Sequence, residues 1–226
     1  MSGSHAQIGL GLAALGRPAY INLGHGEDVH GVTAPVALEA RCHEVLDAAW
    51  GAGVRYFDAA RGYGRAEAFL KDWLDDRRIE PGTLTVASKW GYAYTANWDP
   101  NADVHERKDH SAAHLEQQWA LTRAHLWEYL DIYQIHSATL DTGVLQDPAV
   151  IERLAALRDD RGLRIGLSLS GAEQSAALDA ALEVRAGGRR LVEVVQATAN
   201  LLERSVVPAR ERARAAGLTV VVKEGL

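Results

Sequence analysis

"VRYFDAARGYGRAEAFL" (Val54–Leu70) runs through a strand, a turn and a helix in 17 residues. "VRYFD" reads as a strand closed by Asp58, Gly62 and Gly64 flank Tyr63, and a helical pattern begins at Arg65. Strand-to-helix turns often carry Asp and Gly for local reasons, so by itself this stretch allows a turn-stabilising Asp58 and an edge-packing Tyr63. The fold is decided by whether the unit recurs.

It recurs along the chain. Ile8–Ala13 is a short strand, Ala37–Ala52 a helix, "VRYFD" the second strand and Arg65–Arg78 the next helix. "TLTVASK" is a strand ending at Lys89, followed by a Trp90–Lys108 stretch without periodicity that reads as a functional loop. Then come a helix over Ser111–Trp127, the strand "YLDIYQIH" ending at His136, and a helix over Pro148–Asp159. The strand "LRIGLSLS", a helix over Ala172–Arg185, the strand "LVEVVQAT", a helix over Val206–Ala216 and the strand "LTVVVKE" complete the series. Helices in the first and third quarters follow Ser, Thr or Asp, the expected caps. Seven strands alternating with helices predict parallel βαβ units in a single domain over residues 1–226.

Two α/β architectures fit that rhythm, a doubly wound open sheet and a (β/α) TIM-type barrel. The open sheet is favoured by "GLGLAALG", which contains G-x-G-x-x-A at Gly9, Gly11 and Ala14, with Glu27 or Asp28 downstream. The context fails: too few residues precede the first Gly for a normal strand, and Pro18 and Gly24 interrupt the helix that should face a phosphate. The match is a decoy, and the barrel is preferred.

Composition narrows the function. A hydrophobic fraction of 47%, a charged fraction of 24% and a formal charge of −6 describe a globular protein with no basic surface for nucleic acid. Arg189-Arg190 reads as a solvated loop. Cys42 is the only cysteine and lies in a helical pattern, so it reads as a small buried residue. "IGLGLAALG" lacks a preceding Lys or Arg and is broken by Gly, unlike a secretory core, and no run approaches a membrane span. A reducing, cytoplasmic setting is the expectation. His105, His110 and His114 lack a partner acid motif and read as a solvated face, so no metal is expected.

In a barrel the C-terminal strand ends converge on the catalytic face, and Asp58, Lys89 and His136 each occupy such an end, with Tyr63 just beyond one. Each has a local explanation: a cap, a solvated Lys, a satisfied His. Their chemistry fits together, however. A phenol with a reference pKa near ~10 is a poor proton donor unless a nearby ammonium favours phenolate. A carboxylate keeps that Lys charged, and a histidine can donate to a carbonyl oxygen, so the four stabilise charge developing during reduction.

These segments resemble the aldo-keto reductase family. "FDAARGYGRAE" resembles its Asp–Tyr segment, "VASKWG" its Lys strand and "DIYQIHS" its His strand, while "IGLSLSG" and "VVQATANLLER" are similar to its later cofactor-facing segments. The resemblance implies a (β/α)₈ barrel, Asp58, Tyr63, Lys89 and His136 as the catalytic set, and NADPH as cofactor. It further implies that Ser168 and Gln196 contact the nicotinamide carboxamide. Two positions depart from the family pattern: Leu169 stands where Asn is usual, and Ala199 where an aromatic commonly stacks on the nicotinamide.

The chain reads as an incomplete barrel, since "VVVKEGL" corresponds to the seventh strand and the eighth βα unit and its basic phosphate-binding segment are missing. Weak NADPH binding with little preference over NADH is therefore expected. So is coverage of the open edge by the Gly16–Pro35 loop or by another subunit, as in a homo-oligomer. The leading function is reduction of a small aldehyde or ketone with Tyr63 as proton donor. The alternatives are a cofactor-independent acid/base enzyme (enolisation, dehydration or cyclisation) and a noncatalytic binding subunit. Trp90, Tyr92, Tyr94 and Trp98 either line an aromatic substrate pocket or pack the loop against the barrel.

Overall fold

The computed structural model describes residues 7–18 and 34–225. The strands are β1 (Leu10–Gly11), β2 (Tyr56–Asp58), β3 (Thr85–Trp90), β4 (Tyr92–Tyr94), β5 (Glu106–Lys108), β6 (Leu130–Ala138), β7 (Arg164–Leu169), β8 (Arg185–Ala186), β9 (Arg189–Arg190), β10 (Val194–Thr198) and β11 (Thr219–Lys223). The helices are α1 (Pro35–Gly51), α2 (Ala66–Asp76), α3 (Ala112–Leu126), α4 (Pro148–Arg161), α5 (Gln174–Glu183) and α6 (Val207–Ala215).

The main sheet has seven strands in the order β1-β2-β3-β6-β7-β10-β11. The pairs β1–β2, β2–β3, β6–β7, β7–β10 and β10–β11 are parallel. A doubly wound sheet reverses its order at a switch point; this one runs straight through the chain, the order of a (β/α) barrel as far as its seventh strand. Among the described residues no helix directly follows the decoy motif: β1 leads into a turn in which Leu15 and Gly16 N–H both donate to the Leu12 carbonyl, at 3.1 Å each.

The described residues form two compact units. One holds the residues up to Ser88 with Ala93–Arg107 and Leu121–Leu130; the other holds Lys89–Tyr92, Lys108–Ala120 and the chain from Asp131. In the first, Trp73 anchors the core against Phe57 (ring centroids 5.5 Å) and Trp50 (6.1 Å), and its Nε1–H donates to Asp47 at 2.8 Å. In the second, Val150, Leu154 and Leu157 form the buried stripe of α4. The residues Ile165–Leu169 of β7 are all buried, the continuous burial of a parallel strand covered on both faces.

Three expectations need correction. The Trp90–Lys108 stretch contains the two-stranded sheet β4–β5, and Arg185–Arg190 forms the β8–β9 hairpin rather than a solvated loop. Arg189 pairs with Asp159 at 2.6 Å, and Arg190 Nη1 donates to the Ala216 carbonyl at 2.7 Å. Helix α4 is capped as expected, Asp147 accepting from Ala149 and Val150 N–H. Helix α1 instead begins at Ala34 without a side-chain cap, using Pro35 in the first turn. The proposed edge cover by the Gly16–Pro35 loop falls largely on residues 19–33, outside the described residues.

Candidate active site

In the first unit, β2 delivers Asp58, which is buried, to the strand end. The chain then folds into a turn in which Tyr63 N–H donates to the Ala60 carbonyl at 3.0 Å and the Tyr63 carbonyl accepts from Ala66 N–H at 3.2 Å. The turn closes on the N-terminal segment through Arg65 N–H and the Gly16 carbonyl, at 2.8 Å. Gly64 has φ +63°, and a Cβ there would lie 2.6 Å from the Gly16 oxygen; one on Gly16 would lie 2.1 Å from the Tyr63 oxygen. The glycines around Tyr63 thus permit a close backbone crossing that fixes the turn, and Tyr63 itself is buried.

Glu67 follows in the first turn of α2, and its side chain is completely buried. It takes Arg61 at 2.6 Å, the Ser88 hydroxyl at 2.5 Å and the Thr122 hydroxyl at 2.8 Å. This carboxylate, absent from the sequence reading, ties the helix after Tyr63 to β3 and α3. A buried charge persists only with such partners. The aromatics Tyr94 and Trp98 also lie in this unit: Trp98 N–H donates to the Tyr94 hydroxyl at 3.1 Å, and the Trp98 ring meets Phe69 edge-on at 6.5 Å.

In the second unit, Lys89 is fully buried on β3, while His136 lies near the end of β6 and is 8% exposed. Burial first, and the Lys89 charge second, hold the His136 pKa well below the ordinary histidine value; His110, Lys223 and Lys108 push in the same direction. His136 is therefore a neutral imidazole at neutral pH, with one N–H to donate. The Tyr92 ring packs edge-on against it at 4.8 Å. Trp90, by contrast, is fully buried against His110.

Ser168 and Gln196 are register partners on β7 and β10, so their side chains share one face, and both are buried. The Ser168 oxygen accepts from Ser137 N–H at 2.8 Å, which leaves its hydroxyl proton available to donate. Side-chain donors and acceptors of this kind, seated side by side, fit a planar carboxamide. Leu169, the departure from the family pattern, is buried. Cys42 is buried in α1, and its thiol pKa is pushed up to about 12, chiefly by burial. No helix among the described residues is long and apolar enough to cross a membrane.

The chain matches the model of the aldo/keto reductase family over residues 7–222 and belongs to that family. Two solved structures from Pseudomonas aeruginosa, each described as an aldo-keto reductase, superpose with a TM-score of 0.68 at 25% identity. They cover 95% and 96% of this chain and 71% of theirs. Pyridoxal 4-dehydrogenase of Microbacterium luteolum is 37% identical over 90 residues, 39% of this chain. That match spans only 21% of the dehydrogenase's length.

Proposed function

We propose that this chain serves a carbonyl oxidoreductase that reduces a small aldehyde or ketone with a nicotinamide cofactor, NADPH in the first instance. Family membership and the dehydrogenase relative support the reaction class. The observation that carries the reading is His136, a buried imidazole kept neutral by its surroundings in the same unit as Lys89 and the Ser168–Gln196 pair. A neutral N–H donor suits a carbonyl oxygen on which negative charge develops.

A nicotinamide, when bound, would supply the hydride. Ser168 and Gln196 would hold its carboxamide and His136 would donate to the substrate oxygen, and resemblance to the family assigns the proton to Tyr63. Resemblance to the family assigns Lys89 and Asp58 to the same step, in which an ammonium favours a phenolate and a carboxylate keeps the ammonium charged. Tyr92, whose edge contact seats it against His136, lines the carbonyl's approach.

Fluorescence titration with NADPH and NADH, followed by turnover of an aldehyde panel, tests the reading. Nucleotide binding with matched nucleotide and carbonyl consumption is expected. Turnover without nucleotide would instead favour acid/base chemistry alone.

A further inference from the structure

The backbone at His136 is pinned at three polar groups by side chains. His110 Nε2 lies 2.9 Å from the His136 carbonyl oxygen. Ser168 Oγ accepts from Ser137 N–H at 2.8 Å, and Lys108 Nζ donates to the Ser137 carbonyl at 3.0 Å. They hold a bend that the sheet ladder does not: the β6–β7 register shifts between Ile135 and Ala138, and Ser137 has φ +52°, a region that non-glycine residues avoid.

The seat of His110 is built for this contact. The residue is buried, and its ring meets Trp90 edge-on at 5.7 Å. Gly91 has φ +118°, and a Cβ there would lie 2.5 Å from His110 Cδ2 and 2.6 Å from Nε2, so only glycine admits the ring. The Gly91 turn is itself fixed by Gln118, which accepts from Gly91 N–H and donates to the Tyr92 carbonyl, both at 2.8 Å. One turn therefore seats both His110 and the Tyr92 ring that packs on His136. A carbonyl only accepts, so Nε2 carries the proton. Nδ1 has no hydrogen-bond partner among the described residues, and burial lowers the pKa, so the ring is the neutral Nε2–H tautomer at neutral pH.

We propose that His110 is a positioning residue: its Nε2–H fixes the His136 carbonyl and thereby the direction in which the His136 imidazole meets a carbonyl substrate. Its consequence for turnover rests on the reaction proposed above; the positioning itself does not.

The test compares His110→Phe, a ring without a donor, with His110→Gln, whose amide N–H can reach the same carbonyl. With NADPH and a reducible aldehyde, the Phe variant should lose on the order of tenfold or more in kcat with KM little changed, because misplacing a catalytic group penalises the transition state more than binding. The Gln variant should recover most of that loss. A second readout needs no turnover. In protein carrying isotope-labelled histidine, the His136 ring signals, assigned by their loss in His136→Gln, should move in the Phe variant and return in the Gln variant. If His110→Phe does not fold, His110→Met, flexible and donorless, replaces it with the same expectations. Unchanged kcat and unchanged His136 signals in the donorless variant overturn the proposal. So does a Gln variant as impaired as the donorless one, which would reduce His110 to packing. If the native protein reduces no carbonyl, the reaction fails and the His136 signals alone decide the positioning.

Discussion

The turn that carries Tyr63 is shaped by backbone hydrogen bonds and glycine clearance, whereas the strand end that carries His136 is shaped by side chains reaching its peptide groups. The first device is rigid and local: its parts lie within a few residues of Tyr63 and on the segment from Gly16. The second draws on β5, the entry to α3 and β7. A backbone-built turn fails when clearance or its anchor is lost, while a bend held by side chains can be loosened one contact at a time.

The largest expected effect falls on the side-chain network that ties the helix following the first device to β3 and α3. Glu67→Ala removes the carboxylate that Arg61, Ser88 and Thr122 share and should destabilise folding by about 3–5 kcal/mol, read as a lower urea midpoint. A variant as stable as the native protein would mean that the three partners satisfy one another without it. Next comes Gly64→Ala, which forces a side chain into left-handed backbone and against the Gly16 oxygen. A loss of about 2–4 kcal/mol is expected, and a near-neutral result would remove glycine clearance from the account.

The smallest effect sharpens the second device. Folded His110 and His136 have pKa values below 6.5, the ordinary value expected in the unfolded chain. The unfolded state therefore binds more protons below that pH. Their contribution is complete above about pH 6.5 and is lost as pH falls toward the folded values, at a slope of at most about 1.4 kcal/mol per pH unit for each group. Urea midpoints measured across this window should fall toward acid, and the fall should flatten when both histidines are replaced by Phe. An unchanged slope in that double variant would contradict their buried, neutral state.

These two devices were legible in the sequence to different degrees. The strand-end residues Asp58, Lys89 and His136 could be read because parallel strands are short apolar runs with abrupt polar ends. The glycines beside Tyr63 announced the turn. Glu67 could not be assigned, and His110, read as part of a solvated face, is instead buried; their partners, Thr122 and the His136 carbonyl, lie 55 and 26 residues away. The strands β4 and β5, "YAY" and "ERK", are short and carry no apolar alternation, so they read as loop. The β8–β9 hairpin did leave a signal: Gly187-Gly188, both at positive φ, is a two-residue hairpin turn beside the Arg189-Arg190 pair. The bulge at Ser137 has no sequence mark, since serine gives no hint of a positive φ.

The central claim, that this chain directs a proton from Tyr63 to a carbonyl during nicotinamide-dependent reduction, is tested most directly by turnover in Tyr63→Phe. The substitution keeps the buried ring and removes the transferable proton. NADPH-dependent reduction of an aldehyde accepted by the native protein should fall by on the order of 10²-fold or more, with nucleotide affinity unchanged. Near-native turnover by the folded variant would contradict the claim.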